Sequence, residues 1–116
     1  MTQLAAKRCI PCRGGVPPLT RAQIEPSLKE VPGWELVNEE SLRIRREFKF
    51  KDFNEAIAFV NQIAMLAELE GHHPDFEIHY NRVTLELYTH KIQGLHENDF
   101  IMAAKINAIY NGELSK

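Results

Sequence analysis

Apolar and polar residues alternate through residues 42 to 50, LRIRREFKF, where the apolar side chains stand at even positions. This two-residue period predicts a strand with one face against a core and the other face in water. A turn and a shorter strand are expected just before it, in PGWELV at residues 32 to 37. The polar NEES that follows is expected to connect the two strands.

A second pair of strands is predicted from DFEIHY and VTLELYTH, which are separated by the turn residues NR. In the later strand Val83, Leu85 and Leu87 are expected to face the core. Glu77 and His79 share the far face of the earlier strand, because successive side chains of a strand point to opposite sides. These residues therefore predict a hairpin with one apolar face.

Three helices are predicted where the apolar period lengthens to three or four residues. Thr20 followed by Gln23 is a capping box that opens the first helix, although Pro26 also allows a later start near Glu25. Gly71 is expected to end the second, longest helix in the left-handed conformation.

The second helix is expected to begin after Asp52, which precedes Glu55 at capping-box spacing. Its predicted inward residues are Phe53, Ile57, Val60, Ala64 and Ala67. The third helix follows the loop GLHENDF. Its predicted inward residues are Phe100, Ala103, Ile106 and Tyr110.

The element order is helix, two strands, helix, two strands, helix. This order predicts an α+β fold in which a four-stranded antiparallel sheet is covered on one face by three helices. The other sheet face carries Glu77, Thr84, Glu86, Tyr88 and the arginines, and is free for solvent or a partner subunit. Residues 1 to 18, rich in Gly and Pro, are expected to form an extended arm, and residues 19 to 116 a single domain.

Composition and charge narrow the function classes. The chain has 116 residues, a formal net charge of −2 and a pI near 6.2, which suits one globular domain. Arg43, Arg45 and Arg46 alternate with apolar residues and are interpreted as the solvated side of a strand, so no nucleic-acid surface is expected. No apolar run reaches membrane-spanning length and no export signal is visible, so a cytoplasmic protein with reduced cysteines is expected.

Histidines are the candidate chemical groups, because an imidazole with a pKa of about 6.5 exchanges protons near neutral pH. His72 and His73 stand at a predicted helix-to-strand junction, where Pro74 prevents the helix from resuming. His90 stands at the end of a strand in the same sheet, so the three can converge. His79 and His96 are interpreted as structural or surface residues.

Two carboxylates are candidate partners for these imidazoles. Glu68 lies one helical turn before His72, where it can orient or charge-stabilise that ring. Asp99, in the first turn of the last helix, is either a similar orienting group or a favourable charge at a helix N-terminus.

Metal binding is the alternative, because Cys9 and Cys12 form a C-x-x-C pair. A structural zinc site needs two further ligands, yet no second such pair and no H-E-x-x-H helix is present. Redox activity is disfavoured because no strand precedes the pair. An inert arm without metal is the favoured interpretation.

The segment EGHHPDFEIHYNRVTLELYTH, followed by GLHENDF, resembles the signature of the pterin-4a-carbinolamine dehydratases. The resemblance covers roughly residues 19 to 110, and CIPCRGGVPPL resembles an N-terminal arm of bacterial members. It implies an α+β sandwich that assembles as dimers or tetramers and uses no metal or organic cofactor. His72, His73 and His90 match the family's three site histidines, and Glu68 and Asp99 match its motif acids.

The resemblance implies dehydration of 4a-hydroxytetrahydrobiopterin to quinonoid dihydrobiopterin, which recycles the cofactor of aromatic amino-acid hydroxylases. We expect His72 and His90 to exchange the protons and His73 to bind and orient the pterin. Two alternatives are a protein-binding dimerisation cofactor and activity on another pterin, such as one in molybdenum-cofactor metabolism. His96 at a position where Thr is common, and Pro26 in the first helix, depart from the family pattern.

Overall fold

The structure is a computed structural model, which describes residues 3–10 and 16–112. The regular elements, in chain order, are α1 (Gln3–Ala6), α2 (Arg21–Lys29), β1 (Glu35–Glu39), β2 (Ser41–Lys49), α3 (Phe53–Glu70), β3 (Asp75–His79), β4 (Arg82–Leu87), a 3₁₀ turn (His90–Ile92) and α4 (Glu97–Tyr110).

The strands form one antiparallel sheet in the order β1-β2-β4-β3. Ile44 lies opposite Leu87, and Phe48 opposite Val83, so the apolar sides of β2 and β4 share one face. These four side chains are buried against the helices. The predicted α+β fold with a four-stranded antiparallel sheet is confirmed.

The first predicted helix begins where the capping box placed it. Thr20 accepts a hydrogen bond from the Gln23 backbone, and the Gln23 side chain accepts one from the Thr20 backbone. Pro26 lies inside α2. The alternative start near Glu25 is therefore wrong, because two reciprocal bonds at the N-terminus hold the first turn despite the proline.

The predicted inward face of α3 is partly wrong. Ala67 is buried as expected, but Phe53 is about half exposed and Ala64 is exposed. The residues of α3 that are buried are Ala56, Phe59, Ile63 and Ala67. Apolar residues also occupy the outer side, including exposed Met65 and Leu69, so periodicity alone cannot distinguish the two faces.

The N-terminal segment differs from the expected extended arm. Gln3–Ala6 form one helical turn, and Leu4 and Ala5 are buried in the same core as the sheet and the long helices. This turn packs on α4. Because the sheet covers one side of α4 and α1 another, ten of its fourteen residues are buried.

The side chain of Asn107 on α4 bonds both to the turn before β1 and to Arg46 of β2. Its Oδ1 accepts from Trp34 Nε1 at 2.8 Å and from Arg46 Nη1 at 2.6 Å, and its Nδ2 donates to Pro32 O. Gly33 sits beneath the Arg46 side chain at φ +92°, where a Cβ would lie 2.6 Å from Arg46 Nε. Only glycine satisfies both requirements. Arg46 of β2 is thereby fixed to α4, the helix that carries Asp99.

Candidate active site

His72 is placed by the end of α3. Gly71 adopts the left-handed conformation at φ 68°, as predicted, and the His72 backbone N–H donates to Ala67 O at 3.2 Å. Pro74 is buried and β3 begins at the next residue. The histidine pair is therefore held between a helix terminus and a strand.

A buried carboxylate orients the first histidine. His72 Nε2 lies 2.6 Å from Asp99 Oδ1, and the Asp99 side chain is completely buried. The other Asp99 oxygen accepts from Thr89 Oγ1 at 2.9 Å and from the His96 backbone N–H at 3.0 Å. Asp99 thus accepts the His96 backbone N–H at the start of α4 and also contacts the His72 ring, so both contacts considered from the sequence are present.

Glu68 contacts the second histidine and not the first. His73 Nε2 lies 2.6 Å from Glu68 Oε2, and both side chains are largely exposed. The predicted pairing of Glu68 with His72 is wrong, because it assumed that the helical row of side chains continues through residue 72. The left-handed Gly71 turns the chain before that position.

His90 lies in the 3₁₀ turn after β4, against an aromatic ring. The Tyr88 hydroxyl lies 3.0 Å from His90 Nδ1, and the two rings are 4.3 Å apart. The guanidinium of Arg43 lies over the Tyr88 ring, 3.8 Å from its centroid. A cavity of about 180 Å³ here is lined by Glu40, Ser41, Arg43, Tyr88, His90 and Gln93.

Glu86 holds two arginines on the open face of the sheet. Arg43 Nη1 and Arg45 Nε each donate to a Glu86 oxygen at 2.8 Å. Burial acts to raise the pKa of the Glu86 carboxyl, but the hydrogen bonds from Arg43 and Arg45 outweigh it and lower that pKa from its usual value. The carboxylate is charged at neutral pH and keeps Arg43 above Tyr88.

The three candidate histidines have three different partners. Within the described ranges, no hydrogen bond joins one of these imidazoles directly to another. They are linked through β4, because Thr89 bonds to the carboxylate that holds His72 and is followed directly by His90. His79 stays on β3 beside Glu77, at 3.8 Å and exposed, away from these partners.

Thr89 is the site residue that sequence reasoning missed. It is a buried polar residue that continues the inward row of β4 after Leu87. A polar side chain at an inward strand position requires a hydrogen-bond partner. This requirement, readable from the alternation along β4, indicates that Thr89 contacts a polar group. His96 caps α4, accepting from the Asn98 backbone N–H at 3.0 Å, so it serves the helix end.

Cys9 is a protonated thiol. Burial, followed by the nearby Glu70 charge, raises its pKa to about 12. Cys12 of the C-x-x-C pair lies outside the described residues. In residues 3–10 and 16–112, no group of three or more His, Cys, Asp or Glu side chains is arranged to hold a metal ion. No helix in these ranges is long and apolar enough to cross a membrane.

Comparison with known families identifies the domain. Residues 17–109 match the family described as Pterin 4 alpha carbinolamine dehydratase. The chain belongs to the pterin-4a-carbinolamine dehydratase family. The match contains His72, His73, His90, Glu68 and Asp99, so the whole candidate site lies inside the family's region.

Individual relatives agree with the family assignment over nearly full length. A protein of Rubrobacter xylanophilus that carries the name pterin-4-alpha-carbinolamine dehydratase is 47% identical over 94% of this chain and 100% of its own. A Methylococcus capsulatus protein with the same name is 49% identical, over 91% of this chain and 92% of its own. A crystal structure described as a transcriptional coactivator/pterin dehydratase from Brucella melitensis superposes with a TM-score of 0.76 at 42% identity, covering 80% of this chain and 98% of that one.

Proposed function

We propose that this member of the pterin-4a-carbinolamine dehydratase family dehydrates a 4a-hydroxytetrahydropterin to the quinonoid dihydropterin, with 4a-hydroxytetrahydrobiopterin as the first substrate to test. The observation that carries the proposal is the pair formed by His72 and the fully buried Asp99. A carboxylate that holds one imidazole nitrogen fixes the tautomer and the orientation of the ring. Family membership supplies the substrate class.

The reaction needs two proton transfers and no electron transfer. The bond between C4a and its hydroxyl oxygen breaks, and a proton delivered to that oxygen releases water. The N5 proton is removed, and its electron pair forms the C4a–N5 double bond. An acid and a base are therefore required, and each positioned group contributes about 10²–10⁴-fold.

His72 suits the role of base. A carboxylate only accepts hydrogen bonds, so the His72 nitrogen that faces Asp99 carries the hydrogen. The free nitrogen, Nδ1, then has a lone pair directed away from Asp99. The positive charge that forms on the ring after it accepts the N5 proton is stabilised by the adjacent buried carboxylate.

His90 suits the role of acid when its ring carries both hydrogens. In that imidazolium Nδ1 donates to the Tyr88 hydroxyl oxygen, and Nε2 delivers its proton to the departing hydroxyl, which leaves a neutral ring. His73 is exposed and held by the exposed Glu68. Its proposed role is to bind and orient the pterin, with Glu68 as its support and Pro74 fixing the backbone between the two elements.

Single substitutions test these roles. We expect His72→Ala and His90→Ala to lower kcat for 4a-hydroxytetrahydropterin dehydration by about 10²–10⁴-fold each. We expect His73→Ala chiefly to raise KM. His79→Ala is the matched control, because His79 is an exposed imidazole on the same sheet, and it should retain wild-type turnover. Wild-type turnover in either His72→Ala or His90→Ala would refute the assignment.

A second candidate function is protein binding, because the similar Brucella melitensis structure is described as a transcriptional coactivator as well as a dehydratase. The dimer or tetramer that the family resemblance implies is also a form of protein binding, and it stays a prediction. Two variants distinguish dehydration from partner binding. A His72→Ala protein loses dehydration but keeps any partner that binds the exposed sheet. Glu77→Arg, a charge reversal at an exposed position of that sheet, should keep dehydration and lose such a partner. Assaying several 4a-hydroxypterins in parallel identifies the preferred substrate.

A further inference from the structure

The N-terminal segment makes polar contacts at two places next to the site. The Cys9 backbone N–H donates to Glu70 Oε1 at 2.8 Å. The Ile10 backbone N–H donates to Asn98 Oδ1 at 3.0 Å, and Asn98 Nδ2 donates back to Ile10 O at 2.6 Å. We call Cys9, Ile10, Glu70 and Asn98 the clasp.

The two ends of the clasp flank the His72–Asp99 pair in the chain. Glu70 is the last residue of α3, two positions before His72. Asn98 directly precedes Asp99 in the first turn of α4. Two consecutive residues of the arm therefore join the helix end that carries the imidazole to the helix start that carries its carboxylate.

The two side chains that hold the arm in the clasp are buried. The Glu70 side chain is 4% exposed and the Asn98 residue 2% exposed. Lys105 lies 3.7 Å from Glu70 and donates to Ala5 O at 2.9 Å, so the Glu70 charge is compensated. Buried polar groups that lose their partners are costly, so these contacts hold the arm in one position. The Cys9 thiol, protonated as described above, lies 3.6 Å from Asn98 O.

We propose that the N-terminal arm is a positioning element of the active site, which holds His72 against Asp99 by cross-linking Glu70 to Asn98. Residues 3–10 lie outside the region that matches the family. The inference rests on the proposed function for its kinetic consequence, but its structural consequence, the fixed tautomer of His72, does not depend on any activity. When a positioned group is displaced slightly, turnover falls strongly while the affinity for substrate changes little.

A minimal pair of arm variants tests the proposal in the full-length chain. Ile10→Pro removes the N–H that bonds to Asn98, whereas Ile10→Ala keeps it, and the Ile10 side chain is 61% exposed. Asn98→Leu breaks the same contact from the helix side. Lys7→Ala is a further control, because it removes only the exposed ion pair to Glu97.

Two readouts separate positioning from general stability. The first is the ¹⁵N NMR signal pattern of the His72 ring, which reports whether one tautomer is populated. The second is the kinetic split, for which we expect Ile10→Pro and Asn98→Leu to lower kcat by about 10- to 100-fold while KM changes little. In both variants His72 should populate two tautomers, whereas Ile10→Ala and Lys7→Ala should match wild type.

Replacing Glu70 supplies a rescue test. Glu70→Gln keeps an acceptor for the Cys9 N–H and should retain the wild-type His72 pattern, whereas Glu70→Leu should not. The proposal is overturned if Ile10→Pro and Asn98→Leu keep a single wild-type His72 tautomer, or if Ile10→Ala perturbs it equally. If the wild-type protein has no dehydratase activity, the NMR comparison still decides the clasp, and only the proposed function fails.

Discussion

Asp99 is the residue on which the proposed chemistry depends. Its carboxylate is completely buried, yet it accepts from the His72 ring, from the Thr89 hydroxyl and from the His96 backbone N–H. Three donors offset the cost of removing a charge from water. One side chain therefore caps α4, accepts from Thr89 after the end of β4 and sets the tautomer of the proposed base.

Asp99→Asn tests this role. The amide is similar in size but neutral, so it cannot stabilise a positively charged His72. We expect kcat to fall about 10- to 100-fold, in the range found when a group that orients a functional histidine is replaced. Turnover measured at several pH values should show the loss. Asp75→Asn, at an exposed position on β3, is the control, and equal turnover in the two variants would contradict the role.

Glu86 makes a prediction about acid stability. Its pKa in the folded state lies below the ordinary value of 4.5, so the stability it contributes is present above pH 4.5 and is lost as the pH falls through the folded pKa. Glu86→Gln cannot titrate. Urea unfolding between neutral and acidic pH should therefore show a smaller acid-induced loss in Glu86→Gln than in wild type, and parallel curves would exclude this contribution.

At the scale of elements, helix ends define the site. α3 ends at Glu70 with Gly71 as its C-cap, α4 begins after His96 and carries Asp99, and β4 ends at Leu87, two residues before Thr89. The left-handed Gly71 is a local stop signal, which is why the end of α3 is predicted correctly. The predicted strand VTLELYTH is too long, because His90 lies in the 3₁₀ turn, and α4 begins within the predicted loop GLHENDF.

Pro26 lies inside α2, and its effect on the free energy of unfolding can be measured apart from function. A proline inside α2 removes one backbone hydrogen bond and crowds the preceding turn. Replacing it restores the hydrogen bond, and this gain exceeds the loss that comes from greater freedom of the unfolded chain. We therefore expect Pro26→Ala to raise the free energy of unfolding by about 1–2 kcal/mol. Chemical denaturation checks the value, and kcat should not change. A less stable Pro26→Ala protein would show that the turn is adapted to proline.

At the scale of the whole molecule, sheet, helices and arm share one core that includes Leu4 and Ala5. α4 is its central element, with the sheet on one side and α1 on another. The candidate site lies where α4 begins, and the proposed clasp crosses the same region. Residues distant in sequence therefore meet around the buried carboxylate of Asp99.

The sequence predicts what is local and periodic. Alternation in LRIRREFKF and the hairpin segment predicts β2, β3 and β4, and capping signatures predict where α2 and α3 begin. Glu68 was assigned to the wrong histidine because the left-handed Gly71 redirects the chain. The inward face of α3 was ambiguous because both of its faces carry apolar residues. The turn at Gln3–Ala6 is too short for any periodicity and is stabilised by packing on α4.

We propose above all that this chain dehydrates 4a-hydroxytetrahydropterins through His72 and His90. The most direct measurement is the rate of quinonoid dihydropterin formation from 4a-hydroxytetrahydrobiopterin, followed spectroscopically, for wild type and the double variant His72→Ala/His90→Ala. We expect rapid turnover by wild type and a rate for the double variant close to that without protein. A wild-type rate no faster than the uncatalysed reaction, or a double variant as fast as wild type, would contradict it.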